Sequence, residues 1–232
     1  MRFWVNPGER RRRVEELRRC RTLDDYFAFA SNSLGHQQWK QEITGFLTFA
    51  RDHKPVCIGE LGLFLGGTNL MLTHALPTVR RIIGVDLHVR NKSQLRYFAG
   101  PSHRQTYIEG KTCDNTTLER VSQALDNQKF DLLFIDADHT YEGVKQDFLH
   151  YRRFVRNGGI IAFHDIVQDH RTKFGHNPAT WVGANSGEVY RFWKDLKPHY
   201  EHFQEFVGDY NQDGCGIGAI IYSDAVTLPD TF

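Results

Sequence analysis

The sequence lacks the features that mark a membrane protein, a secreted disulfide scaffold or a zinc-binding module. Its four cysteines, Cys20, Cys57, Cys113 and Cys215, lie far apart and include no CxxC pair. This spacing argues against a disulfide framework and predicts a reducing compartment. No apolar run approaches the ~18 residues that a membrane-spanning helix needs, and the arginine-rich N-terminus contains no signal-peptide core. We therefore expect a cytoplasmic protein with no membrane partner.

The chain also lacks a large excess of charge of either sign. Lysine and arginine total 29, aspartate and glutamate total 28, and the formal net charge is +1. No global field then attracts nucleic acid, so we expect no nucleic-acid partner. The stretch 10–21 is rich in arginine, but its interleaved glutamates are typical of a solvated helix with ion pairs four residues apart. An anionic partner or a contact between subunits is the alternative interpretation.

Apolar runs that end in glycine or a carboxylate alternate with amphipathic stretches. The predicted strands cover residues 55–62, 81–86, 105–109, 130–136, 158–164, 202–207 and 217–222. The predicted helices cover residues 9–30, 36–53, 69–76, 91–99, 115–126, 141–154 and 187–197. Such alternation predicts an α/β fold with a doubly wound, mostly parallel sheet and helices on both faces. We expect an N-terminal helical segment, 1–54, ahead of a domain that spans 55–232.

Acidic residues recur at the ends of the predicted strands. In doubly wound sheets ligands bind beyond the carboxyl ends of the strands, so these positions are the first candidates for a site. They are Glu60, Asp86, Glu109, Asp136 and Asp165. Packing of a core alone would not select carboxylates at the ends of buried runs.

A glycine-rich turn, ELGLFLGGT at residues 60–68, closes the first strand. Its glycines let the backbone turn tightly and approach a ligand, although a purely structural turn is the alternative. The spacing is not GxGxxG, which argues against a nicotinamide-linked oxidoreductase. Asp86 ends the next strand, where an acidic side chain binds ribose hydroxyls in related folds. Residues 110–113 would then lie against an adenine.

These motifs together resemble those of the class I S-adenosylmethionine-dependent methyltransferases. The resemblance rests on the glycine turn, Asp86, the IEG segment at 108–110 and, most specifically, residues 130–166 with their DADH and HD motifs. More narrowly, the chain is similar to metal-dependent O-methyltransferases of sugar and natural-product hydroxyls, including the macrolide-sugar and cephalosporin-pathway enzymes. The resemblance runs from about residue 55 to 222. It implies a Rossmann-like, seven-stranded sheet of order 3-2-1-4-5-7-6, with the seventh strand antiparallel.

The resemblance also implies that S-adenosylmethionine is the cofactor and that its contacts come from the strand ends. The residues assigned to it are Glu60, Gly62, Thr68, Asp86, Gly110, Thr112, Cys113 and Asp136. Glu60 and Gly62 would line the methionine part, and Thr68 would lie near its carboxylate. Asp86 would hold the ribose, and Thr112 with Cys113 would flank the adenine.

A further set of residues concerns the methyl acceptor. An alcohol is a poor nucleophile because its pKa is near that of water, and a divalent ion that coordinates its oxygen lowers that pKa. The resemblance implies metal ligands at Asp136, His164 and Asp165, and it implies a catalytic role for Asp136. It also places a general base at His139; capping of the following helix is the alternative for this residue.

One position departs from the family. The sugar-methylating relatives carry an acid where this chain has His164, and imidazole favours softer ions than Mg²⁺. Three alternatives follow: Mn²⁺ or another transition metal is used, His164 lies outside the ligand set, or the metal is lost. The last would leave a catalytically altered S-adenosylmethionine-binding domain. A methyltransferase acting on another acceptor atom is a further alternative.

We therefore expect an S-adenosylmethionine-dependent O-methyltransferase for a small-molecule hydroxyl, of a sugar or natural product, that uses Mg²⁺ or Mn²⁺. The aperiodic stretch 168–187 predicts a long loop or lid. Its residues His170, His176, Trp181 and Asn185 would suit a sugar-like acceptor. The N-terminal helices could cover the active site or join two copies of the chain.

Overall fold

A seven-stranded sheet organises the computed structural model, which describes residues 7–176, 186–229 and 232. The strands are β1 (Cys57–Leu61), β2 (Arg81–Asp86), β3 (Arg104–Glu109), β4 (Phe130–Ile135), β5 (Val155–His164), β6 (Phe203–Phe206) and β7 (Ile217–Ile221). Their order is β3-β2-β1-β4-β5-β7-β6, and β7 runs antiparallel to both β5 and β6. The predicted fold class, strand order and antiparallel seventh strand are confirmed.

Helices cover both faces of the sheet. They are α1 (Pro7–Arg19), α2 (Leu23–Ser33), α3 (Lys40–Asp52), α4 (Gly67–His74), α5 (Lys92–Ala99), α6 (Asn115–Leu125), α7 (Tyr141–Tyr151), α8 (His170–Phe174) and α9 (Val189–Leu196). In α6, Leu118, Val121 and Leu125 are buried at helical spacing, which explains its orientation against the sheet. Among the described residues, none of the helices has the length and apolarity needed to cross a membrane.

The alternation of side chains along the strands divides the core between the two faces. Phe134 of β4 points into a cluster with Phe46 of α3, and the two ring centroids lie 5.5 Å apart. The next residue, Ile135, points into the opposite cluster with Phe148 of α7. Helices α1 to α5 therefore pack on one side of the sheet, and α6, α7 and α9 pack on the other.

The single predicted helix over 9–30 is wrong, because the chain forms two helices with a break at residues 20–22. Thr22 caps α2 by accepting a hydrogen bond from the backbone N–H of Asp25 at 3.1 Å. The Asp25 carboxylate in turn accepts the backbone N–H of Thr22 at 2.8 Å. This reciprocal capping box starts a new helix where the apolar periodicity alone indicated a continuous one.

The predicted helix over 36–53 begins four residues later, at Lys40, because Trp39 has extended dihedrals of −78° and 138°. The preceding segment 35–39 lies against the glycine turn, where the Gly35 carbonyl accepts the N–H of Gly67 at 3.0 Å. The expected loop 168–187 also differs, since it contains the short helix α8. Asp169 caps this helix by accepting the backbone N–H of Thr172 at 2.8 Å.

The ends of β1 and β4 approach each other at Gly62. The backbone N–H of Asp136 donates to the Leu61 carbonyl at 2.8 Å. Gly62 has a φ of 83°, and a Cβ atom there would lie 1.8 Å from the carbonyl oxygen of Asp136. A side chain at this position would therefore push apart the two strand ends that carry the predicted site.

Substituting Gly62 with alanine should lower the free energy of unfolding by more than the cost of a left-handed alanine alone. Gly175→Ala is the matched control, since its φ is 76° and an added Cβ would meet nothing within 4 Å. We expect the control to cost about 1–2 kcal/mol in free energy of unfolding. Gly62→Ala should cost at least about 2 kcal/mol more in urea unfolding, and equal costs would contradict this account of the turn.

A buried carboxyl on α7 connects the loops that follow β3 and β4. Asp147 is buried, and its Oδ2 has no hydrogen-bond partner among the described residues. Burial raises its pKa to about 7, against hydrogen bonds from the Thr112 side chain and the Asp138 backbone that lower it. Asp147 thus links the loop with the predicted adenine contacts to the loop that leads into α7.

This buried carboxyl predicts a pH-dependent stability. The pKa of Asp147 is about 7 in the folded chain against an ordinary value of 3.8, so its contribution is fully present below pH 4 and is lost as pH rises through 7. Asp147→Asn removes this titration and keeps an acceptor oxygen. From pH 5 to pH 8, the free energy of unfolding of the native chain should fall by about 2 kcal/mol relative to the variant. Parallel pH profiles would contradict the prediction.

Candidate active site

The carboxyl ends of the central strands bring the predicted site residues to one edge of the sheet. Leu61 pairs with Val85 of β2 and with Ile135 of β4, and Ile135 pairs with Phe163 of β5. The residues that follow these pairs therefore emerge side by side. They fall into two groups, one around the ends of β1 to β3 and one around the ends of β4 and β5.

The β4–β5 group is a cluster of two carboxylates and two imidazoles, defined by Asp136, His139, His164 and Asp165. His164 Nδ1 lies 3.3 Å from Asp136 Oδ1 and 3.4 Å from Asp165 Oδ2. His139 Nε2 lies 3.4 Å from Asp136 Oδ1, and its Nδ1 lies 3.4 Å from Asp165 Oδ2. Each carboxylate therefore faces both rings. The structure brings together all four residues that the sequence assigned to metal binding and proton transfer.

The electrostatics of this acid–imidazole cluster require positive charge between its two aspartates. Burial opposes protonation of His164, but the carboxylates of Asp165 and Asp136 outweigh it and raise its pKa well above the ordinary value. Burial likewise opposes ionisation of Asp136, but the His164 and His139 rings outweigh it and lower its pKa. A proton on an imidazole, or a metal cation, satisfies this requirement.

The segment 186–188 supports the cluster from outside, and no sequence motif indicates this role. The buried Ser186 hydroxyl donates to Asp165 Oδ1 at 2.8 Å, which leaves Oδ2 toward the two rings. The backbone N–H of Glu188 donates to the carbonyl of His139 at 2.7 Å. These bonds orient Asp165 and His139 from a part of the chain remote in sequence. The acceptor residues predicted at Trp181 and Asn185 lie outside the described residues.

The non-helical segment 35–39 contributes a further polar side chain, which the sequence analysis missed. The buried Gln38 amide donates from Nε2 to Asp136 Oδ2 at 3.1 Å. Its Oε1 is buried and has no hydrogen-bond partner among the described residues. The amphipathic pattern that predicted a helix over 36–53 concealed this contact, because Gln38 reaches the site from a segment that is not helical.

At the end of β1, Glu60 belongs to a buried hydrogen-bond chain. Asn69 Nδ2 donates to Glu60 Oε2 at 2.6 Å, and the Tyr107 hydroxyl donates to Asn69 Oδ1 at 2.9 Å. Burial raises the pKa of Glu60 well above its ordinary value, although the bond from Asn69 opposes the rise. This chain orients the Glu60 carboxyl, and a positively charged ligand group beside it would favour its ionised form.

Asp86 closes the glycine turn from the end of β2. Its Oδ2 accepts the backbone N–H groups of Leu63 at 2.7 Å and Phe64 at 3.0 Å, and its Oδ1 accepts that of His88 at 2.9 Å. The carboxylate therefore holds the turn in place. Its partly exposed position at the strand end also matches the position predicted for a ribose contact.

The remaining residues assigned to the cofactor lie along the same edge. Thr68 is buried at the start of α4, and the N–H of Gly110 donates to the Asp86 carbonyl at 3.0 Å, next to the ribose position. Thr112 is fixed by its carbonyl, which accepts the Tyr151 hydroxyl at 3.0 Å. Cys113 is exposed. These residues form a row along the ends of β1 to β3. Their individual roles stay predictions.

The donor set at the ends of β4 and β5 fits a divalent cation. Asp136, His164 and Asp165 each offer a ligand atom, and these three atoms lie within 4.8 Å of one another. Two carboxylates and one imidazole combine the oxygen ligands of hard ions with a nitrogen ligand that transition metals accept. Nδ1 is the ring nitrogen of His164 that faces the aspartates. His164 therefore still presents a ligand atom, although it departs from the family pattern.

Two sequence comparisons bear on the identity of this site. Residues 60–166 match a family described as "Methyltransferase domain". The chain is also 33% identical over 121 residues to uncharacterized protein R132 of Acanthamoeba polyphaga mimivirus. That match covers 48% of this chain and 52% of the viral protein, so it spans about half the length of the relative.

Solved structures share the fold at low sequence identity. TomG of Streptomyces achromogenes, an O-methyltransferase of tomaymycin synthesis solved with S-adenosylmethionine, superposes with a TM-score of 0.58 at 19% identity, covering 87% of this chain and 89% of TomG. MycE, a methyltransferase of the mycinamycin pathway solved with magnesium and S-adenosylhomocysteine, also gives 0.58 at 19% identity, covering 91% of this chain and 58% of MycE. Residues 60–166 therefore match the methyltransferase domain family, and the chain has the fold of the class I methyltransferases.

Proposed function

We propose that this protein transfers the methyl group of S-adenosylmethionine to a hydroxyl oxygen of a small molecule, a sugar or natural product, with the help of a divalent cation. The observation that carries the proposal is the convergence of Asp136 and Asp165 on His164, at the sheet edge that also holds the glycine turn and Asp86. TomG and MycE, which share the fold, were solved with S-adenosylmethionine or S-adenosylhomocysteine.

The row of residues at the ends of β1 to β3 would bind the cofactor. Glu60, oriented by Asn69, would face the ammonium group of the methionine part. Asp86 would accept the ribose hydroxyls, because each carboxylate oxygen can accept more bonds than the backbone N–H groups supply. Thr112 and Cys113 would border the adenine. The sulfonium methyl would then point toward the acid–imidazole cluster at β4 and β5.

Methyl transfer forms the bond from the acceptor oxygen to the methyl carbon while the sulfur–methyl bond breaks, and the hydroxyl proton must leave. His139 would take it. Both of its ring nitrogens face a carboxylate, so one of them has to turn to the acceptor hydroxyl. A divalent cation at this site would lower the pKa of that hydroxyl and reduce the negative charge of the aspartates.

Asp136, His164 and Asp165 would hold this cation. The presence of an imidazole among the three donors favours Mn²⁺ or another transition ion over Mg²⁺, because Mg²⁺ prefers an all-oxygen shell. Ser186 would keep Asp165 in its orientation through the hydrogen bond to Oδ1. Residues outside the ligand set that orient ligands in this way commonly affect metal affinity 10–100-fold.

A transfer assay with labelled methyl donor and a panel of hydroxyl acceptors tests the proposal. We expect label to enter at least one deoxysugar, glycosylated macrolide or phenol, and activity to disappear after chelation. Mn²⁺ should restore it more fully than Mg²⁺, because of the imidazole ligand. Full turnover by protein shown by elemental analysis to be metal-free would refute the cation's role. Calorimetric binding of NADH without binding of S-adenosylhomocysteine would refute the methyltransferase assignment.

His139→Ala should lower kcat about 10²–10⁴-fold, the usual contribution of a general base. Affinity for S-adenosylhomocysteine should stay unchanged, because His139 lies in the acid–imidazole cluster and not in the cofactor row. His202→Ala, at an exposed histidine just before β6, is the matched control and should retain full activity. Single-turnover kinetics measure the chemical step directly, and an unchanged rate in His139→Ala would exclude the base role.

A further inference from the structure

His164 has a second ring nitrogen that the proposed cation site does not use. Its Nδ1 faces Asp136 and Asp165. Its Nε2 points away from them into the interior, where it is buried and has no hydrogen bond of normal geometry among the described residues, although the ring lies close enough to the Cys215 thiol to lower the pKa of that thiol against the effect of burial. A buried imidazole nitrogen of this kind needs a partner, and the identity of that partner decides which nitrogen carries the proton.

The polar groups on this inner side are Glu42 of α3 and Cys215, just before β7. Ligand atoms of Glu42, His164 and Cys215 lie within 4.8 Å of one another, and all three residues are buried. A carboxylate is a strong hydrogen-bond acceptor, whereas a thiol is a weak one. Glu42 is therefore the stronger partner for an N–H on His164.

Glu42 is itself held firmly in place. Its Oε1 accepts a hydrogen bond from Gln212 Nε2, and its Oε2 accepts the backbone N–H of Gly216 at 2.8 Å. Each carboxylate oxygen has two lone pairs, so these bonds leave capacity for a third donor. A buried carboxylate fixed at both oxygens and adjacent to a ring with an unpaired nitrogen is suited to orient that ring.

We propose that Glu42 is a positioning residue that accepts the Nε2–H of His164 and thereby leaves Nδ1 unprotonated as a metal ligand beside Asp136 and Asp165. Histidines that bind metals commonly donate their other ring N–H to a carboxylate in this manner. The inference rests on the divalent cation of the proposed function. It assigns helix α3, which precedes the matched methyltransferase domain, a part in the metal site.

The same geometry allows a rival arrangement. Glu42, His164 and Cys215 offer one oxygen, one nitrogen and one sulfur, a donor set typical of Zn²⁺. In that case the cation would lie on the inner side of the ring and the two aspartates would be its outer partners. The two hydrogen bonds that Glu42 already accepts favour the positioning role.

A double-mutant cycle on the full chain separates these possibilities. We expect Glu42→Gln to lower Mn²⁺ affinity in calorimetry 10–100-fold and Glu42→Asp to restore part of it. The same Glu42→Gln change in a His164→Asp background should have no effect, because aspartate has no second ring nitrogen to fix. Glu205→Gln, at a partly buried glutamate with its own hydrogen bonds, is the control and should leave Mn²⁺ affinity unchanged.

Histidine-ring ¹H–¹⁵N spectra add a measurement that would not change if Glu42 only stabilised the fold. The His164 signal, assigned with the His164→Asp variant, should report the Nε2–H tautomer in the Mn²⁺-free Zn²⁺-loaded chain and change in Glu42→Gln. Equal losses of affinity in both backgrounds, or none in either, would overturn the proposal. The proposal would also be overturned if metal binding survived the double substitution Asp136→Asn and Asp165→Asn but was lost in Cys215→Ser. If the native chain binds no Mn²⁺, the proposed cation itself fails, whereas failure confined to Glu42→Gln leaves it intact.

Discussion

Two aspartates that converge at the ends of neighbouring parallel strands repel each other unless a positive charge lies between them. In this protein Asp136 and Asp165 meet on the imidazole of His164, with His139 on their other side. The backbone fixes this convergence, since the pairing of β4 with β5 runs to Ile135 and Phe163, one residue before Asp136 and two before Asp165. The requirement for a cation, supplied by a protonated ring or by a metal, connects the fold to the proposed chemistry.

Much of the fold follows from the sequence because strand ends leave a strong local pattern. Buried runs such as 81–86 and 130–136 end in a carboxylate, and parallel pairing then brings those ends to one edge. The grouping of Asp136, His164 and Asp165 could be predicted on these grounds. The capping-box spacing of Thr22 and Asp25 also indicates the break between α1 and α2. The apolar periodicity continues across this break, however, and it predicted one helix.

The supporting residues of the site could not be predicted, because tertiary packing alone places them. Gln38 reaches Asp136 from segment 35–39, which is not helical, and Ser186 reaches Asp165 across a separation of 21 residues in sequence. Glu42 lies on α3, whose apolar periodicity predicts packing against the core but no polar contact with the site. Tertiary packing likewise orients the His164 ring and so decides which of its nitrogens faces the aspartates. The N-terminal segment thus supplies polar groups to a site whose aspartates and histidines all lie within residues 60–166, the part of the chain that matches the methyltransferase family.

The proposed function requires one sheet edge to bind a methyl donor and a divalent cation side by side. A crystal structure of the chain with S-adenosylhomocysteine and Mn²⁺, with anomalous diffraction recorded at the manganese absorption edge, would locate both ligands. We expect one anomalous peak bounded by Asp136, His164 Nδ1 and Asp165, with the ribose of the bound molecule on Asp86. A peak at another place, or the bound molecule away from the glycine turn, would contradict it.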